Sequence, residues 1–469
     1  VKTDAAPKRA LALLAILPLV GWWLYGLFDL DEGYYAAIVS EMNRKSEWIT
    51  PYFNGKPWFE KPILLYWCAK PCLALFGEMV GPRLPSVAAT LATYAVVGWF
   101  AERRLGPGRG VRAVLVMGSS LLVVGAGRMM LTDPLLVLAM TCAYVSYWES
   151  IVADWRWRIG TAIALGFAVL AKGPVAGLLF LPVAAFTAWR FPEMRPAMRK
   201  GWLLGTVALL LVVASWYVPA YLVNGHLFVQ KFLIEQNFGR FTGGDAAHTV
   251  TGVAGLLFYV IILLVGMAPW SFRVPTAWKF SRDEPVATYL KCWALTIFVF
   301  FTISGAKLPH YILPACPALA LLIADEMAYA KATLKGMIAW TCSVAMIANG
   351  AFLWWYQASG QSEIHALARY VRDHAGPADS VAEYEMGSRK RGLGSVSTGI
   401  RETSEPSSLL YLNRDATDTD DWPQIASLAR PVWIITRPGR IDDSDLTRFG
   451  SRLQLINGSM RHYRLYRLN

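Results

Sequence analysis

Long apolar runs recur along the first three-quarters of the chain, separated by short polar connections. Windows near 10–28, 84–101, 111–127, 134–150, 159–171, 174–189, 202–223, 252–271, 287–303, 311–326 and 334–356 carry almost no charge. Crossing a bilayer core takes ~20 apolar residues, so the pattern predicts about 11 transmembrane helices. After about residue 357 the pattern changes. HALARYVRDHA reads as a short helix, and ARPVWIITRP, RLQLI and HYRLYRL read as strands, the last two flanking Asn457-Gly458. The expected architecture is an all-α polytopic membrane protein over 1–356 with a small α/β soluble domain over 357–469. Asn457-Gly458-Ser459 matches a glycosylation sequon, but a hairpin turn explains it better.

The connection after the first run is long and partly amphipathic. Tyr35, Ile38, Val39 and Met42 repeat at i, i+3, i+4, i+7, the spacing of a helix lying in the membrane interface. A second interfacial helix is expected from Lys61 to about Phe76, with Pro62 in its first turn.

Composition supports the membrane reading. Of 469 residues 55% are hydrophobic and 17% charged, against roughly 25% charged in soluble domains. A net charge of +12 would suggest nucleic acid in a soluble protein. Here the Lys and Arg residues fall in alternate short loops, AERRLGPGRGVR, ADWRWR, WRFPEMRPAMRK, 273–291 and MAYAKATLK. That is the positive-inside pattern, so the expected partners are membrane lipids and not nucleic acid. Lys2, Lys8 and Arg9 place the N-terminus inside, and the C-terminal domain then lies outside. The run after Arg9 lacks a cleavage pattern and reads as a retained first helix. All six cysteines lie in apolar segments, which fits packing and not a disulfide framework, and CAKPC lacks partner ligands for zinc.

The outside loops hold the chemistry. FDLDEGYYAAI brings Asp29, Asp31 and Glu32 to the mouth of a span. Asp31 either caps the following helix or serves as a base beside the membrane surface. Asp133 in MMLTDPLL has the same two readings. In WFEKPILLYW, Glu60 and Lys61 are adjacent and so do not face each other on a helix; Lys61 either snorkels or binds a phosphate. Lys172 in VLAKGPVAG sits between two apolar runs at a Gly-Pro break, where a polar cavity favours it. Arg240 is the only Arg of its loop, and Lys307, His310 and Tyr311 share SGAKLPHYILP. Cations suit a phosphate and acids suit a nucleophile or an electrophilic sugar carbon, so a lipid-linked phosphate substrate is the economical inference. A transporter or flippase using the same pocket remains the alternative, although no internal repeat with paired broken helices is evident.

The order LDEGYYAAI, NGKPWFEKPILLYW, MLTDP, LAKGP, IEQNFGRF, MAPW and KLPHYILP, over about residues 10–325, resembles the ArnT/PMT family of GT-C glycosyltransferases. That family includes aminoarabinose lipid A transferases and protein O-mannosyltransferases. The resemblance implies a GT-C fold and inverting transfer of a sugar from a polyprenyl-phosphate donor to a lipid, glycan or protein acceptor. It implies a bacterial inner-membrane enzyme with its site on the outer face. It implies catalytic roles for Asp31 and Asp133 and donor-phosphate contacts from Lys61, Lys172 and Arg240. Glu60, Tyr34, Tyr35, Lys307, His310 and Tyr311 are the expected supporting or lid residues. Two positions depart from the aminoarabinose enzymes: Tyr34 stands where they carry Arg, and Gln236 where they carry His. In a relative that His joins the FEKP Glu at a structural zinc. The sequence requires no cofactor and leaves a divalent metal open, with Glu60 and His310 or His248 as weak candidate ligands.

Overall fold

The computed structural model describes residues 13–29, 31–239, 252–280, 284–330, 334–386, 405–441 and 450–469. Its contacts divide the chain into two units. One comprises Val1–Trp22, Phe59–Cys68 and Arg83–Gly350; the other comprises Trp23–Trp58, Ala69–Pro82 and Ala351–Asn469.

The first unit is helical. Among the described residues six helices are long and apolar enough to cross a membrane, and up to nine spans result if each bent pair counts as one. The bends have local causes. Pro192 and Pro269 interrupt two pairs, since proline has no amide proton to continue the ladder. Between Arg109–Gly118 and Leu121–Gly127 the Ser119 and Ser120 hydroxyls donate back to the carbonyls of Leu115 and Val116, which bends helices. Helix Trp202–Phe228 exposes Leu203, Leu210, Leu211 and Leu222, an apolar surface suited to lipid.

One span differs from expectation. The stretch predicted as a helix over 10–28 contains a 3-10 helix, Leu13–Leu19, followed by turns, with residues 10–12 outside the description. Pro18 lies inside it. The carbonyls left without helical partners are met by two wholly buried arginines: Arg128 donates to Pro18 O at 3.0 Å and Arg83 to Trp22 O at 2.8 Å. Non-helical backbone at membrane depth is tolerated where protein satisfies it in this way.

The Lys/Arg-rich loops pair with acids on the spans. Arg103 and Arg104 hold the buried Glu149, Arg109 holds Asp325 and Arg273 holds Glu326.

The second unit contains a five-stranded mixed sheet. Its strands are β3 (Ser380–Tyr384), β4 (Thr417–Thr419), β5 (Val432–Thr436), β6 (Leu453–Asn457) and β7 (Arg464–Leu468), in the order β4-β3-β5-β7-β6. β3 runs parallel to β4 and β5; β7 runs antiparallel to β5 and β6. β5 is buried at every position, as its unbroken apolar sequence VWIIT requires. Helix Gln361–His374 buries Ile364, Leu367, Ala368 and Val371, a helical stripe. At Asn457 the side chain accepts from Ser459 N and Oγ, so the sequon residues form a local turn, within a connection longer than two residues.

The long connection after the first apolar run belongs to this unit except for Phe59–Cys68. Helix Asp31–Arg44 is not an interfacial helix with one wet face: every residue from Glu32 to Met42 is buried. It packs on helix Ser407–Leu412, with Ser40 bonded to Asn413 and Arg44 to Asp415, and a tertiary partner therefore takes the place of lipid. The second helix runs Leu64–Val80, so Pro62 precedes it instead of entering its first turn. The buried Lys70 on that helix donates to Met42 O and Glu47 O, closing the end of helix Asp31–Arg44. A hairpin, β1 (Tyr52–Phe53) with β2 (Lys56–Pro57), turns at Asn54-Gly55, both at positive φ.

Glu383 on β3 is wholly buried, bonded at one oxygen by Ser408, and faces Asp418 across the parallel pair. Burial, then Asp418, push its carboxyl up to about 8. The native state therefore holds this proton more tightly than the unfolded chain. Stability should fall as pH rises from about 4.5 to about 8, by at most about 5 kcal/mol, and level off above. Glu383→Gln should flatten that slope, which urea midpoints of the full chain between pH 5 and 9 would measure.

Candidate functional site

Helix Asp133–Val152 begins where Thr132-Asp133-Pro134 predicts, with proline in its first turn. Helix Trp157–Lys172 ends at Gly173, whose φ of 83° is a conformation glycine adopts without strain, and Pro174 precedes the next helix, Val175–Arg190. Lys172 is thus the last residue before a break. Its Nζ donates to Asp133 Oδ1 at 2.5 Å. The pair is secluded, with side-chain exposures of 12% and 3%. His310 Nε2 lies 3.7 Å from Asp133 Oδ2, and Lys172 Nζ lies 4.1 Å from the centre of the Tyr311 ring. Lys61 contributes positive charge to the same carboxylate. The first unit therefore brings together Asp133, Lys172, His310, Tyr311 and Lys61, from four separate stretches of sequence. Asp133 and the arginine-bound Glu149 sit towards opposite ends of one helix, so this cluster lies at the end away from the Arg-rich loops.

Lys307 is spent differently. Its Nζ donates to the carbonyls of Phe301, Thr302 and Ser304, closing the end of helix Pro285–Ile303, and burial pushes its amine down. Glu60 is half-buried beside Lys61. Arg240 and His248 lie outside the described residues.

In the second unit the three carboxylates of FDLDEGYYAAI take three different roles. Asp29 is bound by Ser407 through N–H and hydroxyl, at 2.8 and 2.7 Å. Glu32 is buried and accepts the Phe28 amide at 3.0 Å, so it covers the helix start. Asp31, the first helical residue, is exposed and makes no hydrogen bond or ion pair among the described residues. The capping roles go to its neighbours. Tyr34 and Tyr35 are buried, and Tyr34 stacks on Trp58 at 5.4 Å beside Phe53.

The chain is similar in sequence and fold to known proteins. Residues 10–230 match the family model for dolichyl-phosphate-mannose-protein mannosyltransferase. An undecaprenyl phosphate-alpha-4-amino-4-deoxy-L-arabinose arabinosyl transferase of Edwardsiella ictaluri is 34% identical over 325 residues, covering 66% of this chain and 57% of that protein. The crystal structure of ArnT from Cupriavidus metallidurans bound to undecaprenyl phosphate matches with a TM-score of 0.78 at 18% identity, covering 98% of this chain and 97% of that one. The chain is similar to the ArnT/PMT-like GT-C family. It is a multi-pass membrane protein with the ArnT fold and a small C-terminal sheet domain. The archaeal oligosaccharyltransferase AglB from Archaeoglobus fulgidus shares the fold more distantly, with a TM-score of 0.51 at 11% identity over 92% of this chain and 69% of that one. The chain spans less than two thirds of the length of the curated relatives it matches.

Within this ArnT/PMT-like frame, the metal suggested by the resemblance finds no ligand set. Among the described residues no group of three His, Cys, Asp or Glu side chains is placed to hold an ion. Among the described residues the buried Gln236 Oε1 has no hydrogen-bond partner, and His310 is engaged with Asp133.

Sequence reasoning missed Asn54-Gly55 as a hairpin, although that dipeptide signals one. It also missed the structural arginines Arg83 and Arg128 and the roles of Asp29 and Ser407. No local signal marks these, because their partners lie 61 to 378 positions away along the chain.

Proposed function

We propose that this chain is a membrane glycosyltransferase. It moves a sugar from a polyprenyl-phosphate donor to a lipid, glycan or protein acceptor at the outer face of a bacterial inner membrane, with inversion. The observation that carries the reading is Asp31, an exposed carboxylate left uncommitted while both neighbouring acids are consumed by structure. The secluded Asp133–Lys172 pair is neutral overall, and Lys61 beside it gives the cluster the net positive charge that a phosphate requires.

The assigned roles follow from charge. Lys172 and Lys61, with Arg240 from the resemblance, hold the donor phosphate and offset the charge that grows as it leaves. An acceptor hydroxyl attacks the anomeric carbon from the face opposite the phosphate. The new carbon–oxygen bond forms as the bond to the phosphate oxygen breaks, and polyprenyl phosphate departs with that electron pair. The hydroxyl proton passes to Asp31. Where the acceptor is itself a phosphate, no base is needed and Asp31 positions. Asp133 holds Lys172 in place.

Turnover in detergent tests this. Purified chain would be incubated with undecaprenyl-phosphate sugars and a lipid and glycan fraction of the host. Release of undecaprenyl phosphate is the expected result. No release from any donor, by folded protein that still binds undecaprenyl phosphate, would overturn the reading in favour of transport.

A further inference from the structure

Asp29 stands two residues before Asp31, and both its oxygens are bound by Ser407 in the α/β domain. Ser407 is wholly buried, and His365 Nε2 lies 2.8 Å from its hydroxyl oxygen. A hydroxyl has one proton. With that proton given to Asp29, His365 must donate through Nε2, which leaves Nδ1 to accept from Tyr356 OH at 3.0 Å. A serine, a histidine and an aspartate in this order resemble a nucleophile set, but Ser407 and His365 have no exposed surface, so no substrate reaches them. The arrangement is mechanical.

The surrounding contacts extend the attachment. Leu27 N–H donates to Tyr411 OH at 3.1 Å, and the His365 ring packs 4.0 Å from that of Tyr411. A methyl group on Gly26 would fall 2.5 Å from His365 Nδ1 and 2.7 Å from Tyr356 OH, and one on Gly33 would fall 2.6 Å from Ser407 N. Glycine is therefore required on both sides of the loop for its close approach. Behind Asp29 lies Glu405, which accepts from Gln361 at 2.9 Å, Tyr463 at 2.8 Å and Arg437 at 3.1 Å. Burial, then the Glu405 charge and its hydrogen bond, push the Asp29 carboxyl well above the usual range.

We infer that Asp29 is a positioning residue whose bonds to Ser407 fasten the Asp31 loop to the α/β domain, so that this domain sets where the Asp31 carboxylate stands. The consequence for turnover rests on the reading of Asp31 given above. Misplacing a reacting group by ~1 Å costs roughly 10²-fold in rate.

The test uses the full chain in detergent with Asp29→Ala, Ser407→Ala and Asp29→Asn. Asp29→Ala should lower kcat roughly 10²-fold, with undecaprenyl-phosphate affinity within about twofold of wild type. Ser407→Ala keeps the backbone bond and should lower kcat less. Asp29→Asn keeps one oxygen to accept the Ser407 N–H but sets an amide nitrogen, which cannot accept, opposite the Ser407 hydroxyl, and should retain more of the rate than Asp29→Ala. Hydrogen exchange over residues 26–34 should quicken in Asp29→Ala and less in Asp29→Asn. Unchanged kcat or unchanged exchange in Asp29→Ala would overturn the inference, as would a loss of donor affinity that tracks the loss of rate. If Asp31→Asn retained full transfer, the Asp31 reading would fall with the predicted rate effect, and the exchange data would still report separately on the fastening.

Discussion

Asp31→Asn should lower transfer to a hydroxyl acceptor roughly 10²- to 10⁴-fold while leaving folding and donor affinity intact. The size follows from the loss of a positioned base, and the selectivity follows from the surroundings. Glu32 already covers the Phe28 amide and Asp29 is bound to Ser407, so neither depends on Asp31. Asp31 is exposed, and an amide there buries no new polar group. A capping role predicts the opposite pattern, a stability loss of about 1 kcal/mol with transfer retained. Measuring the transfer rate and the unfolding midpoint on the same preparation separates the two, and full transfer by a folded Asp31→Asn protein would sink the catalytic assignment.

Lys172→Met should abolish donor binding and also destabilise the first unit. Lys172 and Asp133 are both secluded and 2.5 Å apart. Removing Lys172 leaves the buried Asp133 with only His310 and Lys61 to offset it, at a cost of up to about 3–5 kcal/mol. Two effects are therefore mixed in the single variant. The double variant Asp133→Asn, Lys172→Met separates them: without the stranded carboxylate, stability should recover most of the loss, while undecaprenyl-phosphate affinity should remain lost. If the double variant bound undecaprenyl phosphate as tightly as wild type, the phosphate role of Lys172 would be wrong and the pair would be structural only.

Much of the fold was legible because lipid imposes simple rules. Helices such as Asp133–Val152, Pro285–Ile303 and Leu334–Ala358 follow from apolar length. Their breaks at LAKGP and LTDP follow from glycine and proline. β5 and the stripe on Gln361–His374 follow from their periods. The first apolar run misled the expectation, since composition reports hydrophobicity and not backbone conformation. Pro18 and the carbonyl-binding Arg83 and Arg128 decided that conformation.

The amphipathic pattern in Asp31–Arg44 was real, but its apolar face and most of its polar face are buried by protein. A hydrophobic stripe states that something covers it and not what does.

By itself the sequence determined which residue types stand at the mouths of the spans, and hence the chemistry available: carboxylates, lysines and a histidine beside Gly and Pro. The tertiary structure alone decided how they are used. It set Lys172 on Asp133 and bound Lys307 to three carbonyls. It also sorted the three acids of FDLDEGYYAAI into a fastening, a helix cover and an uncommitted carboxylate. The reason is physical. The cost of a buried charge depends on what lies within a few ångströms of it, and those neighbours come from segments up to 378 residues distant along the chain.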